Sequence, residues 1–218
     1  MDEEDVRETI TVHDHDPDAH ELSTLRQQME ITDSKTGMWS IKAADDFNGP
    51  DGPLTTAPVG GQAWTAIGGA QLSRINNVAR TPDGTLRGSY LVTGVSDGQV
   101  EAGLAPGDNE ASIYFRFLSN GNYLMLGRKF DGFVGVFRFS GGGSVLLHQP
   151  IYHALIAEER FKVRFVGDRI WVFRIANGEE QLLVDLVEPM FNTAGSHGLR
   201  LAGTGAADNF RILQREAL

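Results

Sequence analysis

Three histidines and three aspartates crowd into HDHDPDAHELSTLRQQM, residues 13 to 29. His13, His15 and His20 with the neighbouring aspartates have the chemistry of a zinc site, which wants three or four ligands converging on a tetrahedron. Their spacing opposes it. His13 and His15 precede Pro17 in extended chain, whereas His20 lies inside a helix that Asp16 caps and Pro17 opens, so no single face gathers them. A solvated capping segment is the better reading, and no metal site is assigned there. Catalytic patterns are missing too. Hydrolysis of a glycosidic bond needs two carboxylates flanking it, yet no strand segment carries E-x-D-x-x-E, and Glu101 and Asp185 stand alone. There is no G-x-S-x-G elbow and no cysteine, and His148, His153 and His197 have no nucleophile near them in sequence. Catalysis is therefore not expected. What remains is a set of rings and cations on alternating strands: Tyr114, Arg116, Tyr123, Arg128, Arg138 and Arg164. On one shared polar face these would form a shallow ligand surface, with rings stacking on sugar C–H faces and guanidinium forks bonding hydroxyls or carboxylates. The competing reading makes the arginines ordinary solubilising residues whose stems cover apolar neighbours.

The elements that must position these residues are strands. Glycine-rich turns such as GPDG, PDG, SDG, SNG, FDG and SGGG recur at short intervals after Asn48, the pattern of an all-β sandwich or barrel. Between them the chain alternates. ASIYFRF sets Ile113, Phe115 and Phe117 against Tyr114 and Arg116, and RFKVRFV sets Phe161, Val163 and Phe165 against Lys162 and Arg164, as antiparallel sheets with one wet face require. Further strands are expected near 64–67, 86–93, 99–104, 122–128, 132–139, 144–148, 169–175, 181–186, 197–202 and 208–213. Trp64 belongs to the core by its apolar neighbours. In the leader, Ala19, Leu22, Leu25 and Met29 form one apolar stripe on a short helix. Such a helix is marginal alone, so the stripe packs either on its own β domain or on copies of itself in a coiled coil.

Charge and composition narrow the partners. With 29 acidic against 19 basic residues and a net charge of −10, the chain is ill suited to a phosphate backbone, and nucleic acid is not expected. The start, MDEEDVRETI, lacks the basic and apolar regions of an export signal, and no run is long enough for a membrane span. Neither signal-directed export nor membrane insertion is expected; release by lysis as part of a particle is a route that needs neither.

Two stretches resemble known families. HDHDPDAHEL is similar to the H-x-x-D-P-x-A-H-x-x-L segment of bacteriophage tail-fibre and minor tail proteins, where it joins virion-attached and outward-facing parts. DDFNGPDGPLTTAPVGGQAWTAIGG, residues 45 to 69, resembles the opening of laminin-G/concanavalin A-like jelly-roll domains. YFRFLSNGNYLMLGR and DNFRI then match that family's middle and end, Arg116, Asn122, Tyr123 and Arg128 among them. The match departs at Gly49, where arginine is common, and in the insert HQPIYHALIAEE. The resemblance implies an all-β concanavalin A-like (laminin-G-like) antiparallel sandwich over residues 44–218, preceded by a connector over 1–43 that contains the helix. It implies that first and last strands pair, with Phe47 and Phe210 inward and Asp46 and Asp208 at the rim. Some members hold a structural calcium there, but two aspartates fall short of the six to eight oxygens that calcium takes, and no cofactor is assigned. It further implies a receptor-binding minor tail protein of a phage virion. Such a protein would be made in the host cytoplasm and be homotrimeric through Leu22, Leu25 and Met29. Its partners would be other phage tail proteins and a host-surface glycan. The alternatives are a purely structural tail component and, less in keeping with the sequence, a glycan-degrading enzyme.

Overall fold

Alternation in the sequence becomes alternation in space. In RFKVRFV, Phe161, Val163 and Phe165 are fully buried while Arg160 and Arg164 stay partly exposed, because successive strand side chains point to opposite faces. A computed structural model describes residues 39–69, 71–148, 151–152 and 159–216, and every regular element in it is a strand or bridge. In chain order these are β1 Trp39–Asp45, β2 Gly52–Pro53, β3 Thr65–Ile67, β4 Ser73–Ile75, β5 Val78–Arg80, β6 Arg87–Val92, β7 Gly98–Ala105, β8 Glu110–Ser119 and β9 Asn122–Lys129. There follow β10 Phe133–Ser140, β11 Gly143–Leu146, β12 Ile151–Tyr152, β13 Arg160–Val166, β14 Arg169–Ala176, β15 Glu179–Val187, β16 Ser196–Ala202 and β17 Ala206–Arg215. The connector, with its histidines and with Leu22, Leu25 and Met29, lies outside the described residues.

Two antiparallel sheets make up the unit Trp39–Arg215. One has nine strands, ordered β15-β14-β13-β7-β17-β5-β4-β2, with β1 also on β17. The other has eight, ordered β11-β10-β9-β8-β16-β6-β3, with β12 also on β10. Their facing sides share one core. Val100, Phe161, Phe165, Val172, Phe210 and Ile212 come from the nine-stranded sheet, and Ile113, Phe115, Leu124, Leu126, Val136 and Leu199 from the eight-stranded one. At about 25 cal/mol per Å2 of apolar surface removed from water, this burial is the main driving term. All twelve strands expected from the sequence are present. The pairing of first and last strands also holds, since β1 runs antiparallel to β17 with Trp39 opposite Arg215 and Asp45 opposite Phe210. β1 begins at Trp39, five residues before Ala44.

The landmark residues of the opening and closing strands meet in the core. Asp45, 1% exposed, accepts from the Trp64 indole Nε1 at 2.9 Å and from the Phe47 amide at 2.8 Å, and Arg74 lies 3.7 Å from it. The Trp64 ring packs against Phe47 and Phe210 at centroid distances of 6.1 and 5.2 Å. Phe47 itself has φ +56°, a left-handed backbone that a bulky residue adopts only under strong local constraint. The Asp45 turn and the ring contacts provide that constraint.

Candidate functional site

The outer face of the eight-stranded sheet carries a second aromatic cluster, separate from the core between the layers. Tyr114, Phe117, Tyr123 and Met125 form it, with Ile67, Tyr90, Phe137 and Phe139 packed at its margin. The rings run across the strands as a belt. Tyr90 stacks on Phe117 at 4.6 Å, Phe117 on Tyr123 at 5.7 Å, and Tyr123 on Phe139 at 4.5 Å, while Tyr114 meets Tyr123 edge-on at 4.6 Å. Glycines make room for it. A Cβ on Gly88 would sit 2.8 Å from the Tyr114 ring, so that ring lies where a side chain on β6 would otherwise stand. Burial pushes both phenols above their ordinary range, and Tyr123 beside Tyr114 adds to the effect there. They therefore act as neutral hydrogen-bonding groups. Arg200 borders the belt, its guanidinium 5.8 Å from the Phe139 centroid and 3.4 Å from the Glu110 carboxylate.

A bulge creates this arrangement. The pairing of β8 with β9 slips between Phe115 and Ser119, and Arg116 there takes φ +50°. Phe115 keeps its inward place. Arg116 then also turns inward, and Phe117 emerges on the outer face beside Tyr114. This corrects the simple alternation, which grouped Phe117 with Ile113 and Phe115 and placed Arg116 outside with Tyr114.

The six residues read as one ligand surface thus separate. Tyr114 and Tyr123 share the belt, though only 4% and 6% exposed. Arg116 is wholly buried. Its guanidinium donates to the Gly167 carbonyl, lies 3.5 Å from the Ser96 carbonyl and stands over Phe165 at 5.2 Å, while its backbone amide donates to His197 Nδ1 at 3.3 Å. Arg128 shares the inward side of β9 with Leu124 and Leu126. It donates to the Leu104 carbonyl at 2.6 Å and pairs with buried Glu159, which also pairs with Arg174. Arg138 lies opposite Leu124 on the same inward side and bonds Glu188 at 2.9 Å. Arg164 belongs to the other sheet, with its guanidinium over the Trp39 and Phe173 rings at 5.1 and 5.5 Å. The expectation of one shared polar face is corrected accordingly. β9 and β10 have apolar residues on both sides, so parity could not say which side was wet.

The belt residues missed in the sequence are Tyr90, Phe117, Phe137, Phe139 and Arg200. Tyr90 and Arg200 occupy the outward positions of β6 and β16, a signal legible once those strands are placed beside β8. The strand acids behave as structural partners. Glu101 binds Arg160 at 2.8 Å and Asp185 binds Arg169 at 2.7 Å. At the expected calcium position, Asp46 accepts from the Asn48 amide at 3.2 Å and Asp208 from the Asn209 amide at 2.7 Å, so each caps its own turn. Among the described residues no group of three or more His, Asp or Glu is placed to hold a metal. The described residues at this position do not amount to a calcium cage.

No known family profile matches the sequence, and no curated protein does. Solved structures do match its fold. The β-glucanase of Bacillus licheniformis aligns with a TM-score of 0.56 at 12% identity, covering 81% of this chain and 99% of that one. The exoplasmic/lumenal domain of VIP36, in a Ca2+/Man-bound form, aligns at 0.54 and 14% identity over 83% and 93% of the two chains. The CBM2 module of the evolved Dit protein of Lactobacillus casei BL23 phage J-1 aligns at 0.51 and 9% identity over 84% and 98%. At these identities the likeness establishes the fold, a concanavalin A-like jelly-roll sandwich.

Proposed function

We propose that this chain is a carbohydrate-binding protein of a phage tail, attaching the virion to a host-surface glycan without cleaving it. The observation that carries the reading is the aromatic belt on an outer sheet face, bordered by a cation and an acid, where a sugar chain can lie across the half-exposed rings of Tyr90, Phe137 and Phe139 and hydrogen-bond Arg200 and Glu110. Stacking of rings on sugar C–H faces combined with fixed polar groups is chemistry suited to such a ligand. Among the described residues Glu110 is the one acid that strand register places on this face, and a single carboxylate does not serve a two-carboxylate glycosidic reaction. The similar folds of VIP36 and the phage Dit module support the direction, as does the tail-like DPDAH segment. In a homotrimer, joined through Leu22, Leu25 and Met29 and attached to other tail proteins, several weak sites would act together, so a low single-site affinity still holds a particle.

One observation favours a second reading. Tyr114, Phe117 and Tyr123 are nearly covered by one another, as expected of rings whose task is to stiffen a sheet in a purely architectural tail component. Full-length protein applied to a glycan array and to purified cell-wall polysaccharide separates the two. Retention on at least one glycan is expected; failure to bind in every oligomeric form selects the architectural reading.

A further inference from the structure

Away from the belt, the described residues line a half-open pocket of about 680 Å3 where β7, β13 and β17 run out at the rim of the sandwich. Val78, Leu104, Pro106 and Ala206 give it apolar walls, and Arg128, Glu159, Arg160, Asp208 and Asn209 give it polar ones. The size lies within the range of small-molecule sites, and so does the composition, a mostly apolar lining with a few converging polar groups.

We propose that this pocket is a second carbohydrate site, which holds a single sugar ring edge-on through Asp208 and Arg160. The proposal rests on the glycan-binding reading above and adds a site that the belt does not contain. Three features argue for it. The deepest charges are already committed to one another: Glu159 is clamped by Arg128 and Arg174, and Arg128 also spends a donor on the Leu104 carbonyl. They form a fixed floor. Above it, Arg160 binds Glu101 through one terminal nitrogen at 2.8 Å, whereas its Nε is buried with no hydrogen-bond acceptor. A buried donor left without a partner is unfavourable, and an incoming hydroxyl would offset that cost. Finally, Asp208 uses one lone pair on each oxygen for the Asn209 amide groups, at 2.7 and 2.9 Å, and an ionised carboxylate has about four such places.

The charge balance selects the ligand. Arg128 and Arg160 face Glu159 and Asp208, so neither a strongly anionic nor a cationic group is favoured, and a neutral polyhydroxylated ring is. Partial burial and the nearby Asp46 raise the Asp208 pKa. Among the described residues no aromatic side chain lines the pocket. Recognition there would come from hydrogen bonds to hydroxyls rather than from stacking, and so would discriminate between epimers that a ring belt accepts equally.

The test is amide chemical-shift mapping on 15N-labelled full-length protein, titrated with the methyl glycosides of glucose, galactose, mannose, N-acetylglucosamine and rhamnose. At least one glycoside is expected to shift the amides of 103–105, 107 and 206–209 while close epimers do not. Asp208→Asn and Arg160→Gln, each checked for retained amide dispersion, are expected to weaken that response at least about tenfold. Shifts confined to the belt, or rim shifts that both variants retain, overturn the rim site and leave the glycan-binding reading standing. No shift anywhere, with no retention on the glycan array, overturns both.

Discussion

The Trp64 indole nitrogen donates to Asp45 Oδ2 at 2.9 Å in a site that water barely reaches. The carboxylate holds the ring against Phe47 and Phe210, and so ties the start of the sandwich to its last strand. Removing it leaves a buried indole N–H and the Phe47 amide without an acceptor, each at a cost of about 1–3 kcal/mol. Asp45→Ala should therefore lower stability by roughly 2–5 kcal/mol, seen in urea unfolding as a fall in midpoint with little change in slope. An unchanged midpoint would remove Asp45 from this role.

His197 gives the fold an acid-sensitive point. It is fully buried, with Nδ1 accepting from the Arg116 amide, Nε2 at 2.8 Å from the Val95 carbonyl and the ring stacked on Phe165 at 5.0 Å. Burial pulls its pKa down from 6.5 to about 4. Between those values the unfolded chain binds a proton that the folded chain refuses, so stability falls as pH drops through the window and the loss levels off below pH 4. At 1.36 kcal/mol per unit the group accounts for up to about 3 kcal/mol. Unfolding free energies measured from pH 7 to 4 should show this slope, and His197→Gln should flatten it.

Legibility in the sequence followed the physics of each position. Phe161, Val163 and Phe165 alternate with polar neighbours, and their strand and its buried face were plain. Alternation misplaces Arg116 because a bulge has no signature in side-chain type; the rule of two fails wherever extra residues enter one strand. β4 and β5 escaped because three residues apiece leave no period to detect. Arg128 and Arg138 lie inward because Glu159 and Glu188, distant in sequence, neutralise them there, and pairings across the layers cannot be read along a strand.

The Arg128–Glu159–Arg174 group should be fragile to single changes. Glu159→Gln leaves two buried guanidinium groups without a counter-charge, at a cost of about 3–5 kcal/mol. Replacing all three together by Met, Leu and Met should recover much of it. Thermal unfolding of both variants measures the difference, and a triple variant no better than the single one would contradict this account.

Binding on the belt should depend on its half-exposed ends. Tyr90→Ala and Phe139→Ala each remove stacking worth about 0.5–1.5 kcal/mol, so affinity for whichever glycan the array identifies should fall up to about tenfold in titration calorimetry. Trp171→Ala, on the other sheet, should leave it unaltered.

The leader stripe should set the assembly state. Changing Leu22, Leu25 and Met29 to aspartate should convert a trimer to a monomer by light scattering while the far-ultraviolet β signal persists. An unchanged mass would return the stripe to packing within one chain.

Because Trp39 and Arg215 face each other across β1 and β17, the sandwich closes on itself only when its two most distant ends meet. During synthesis β1 must wait, unzipped, until β17 has left the ribosome, and such long-range closure is slow and exposes sticky edges meanwhile. Maturation of this domain is thus paced by the arrival of β17, the strand on which β1 must wait.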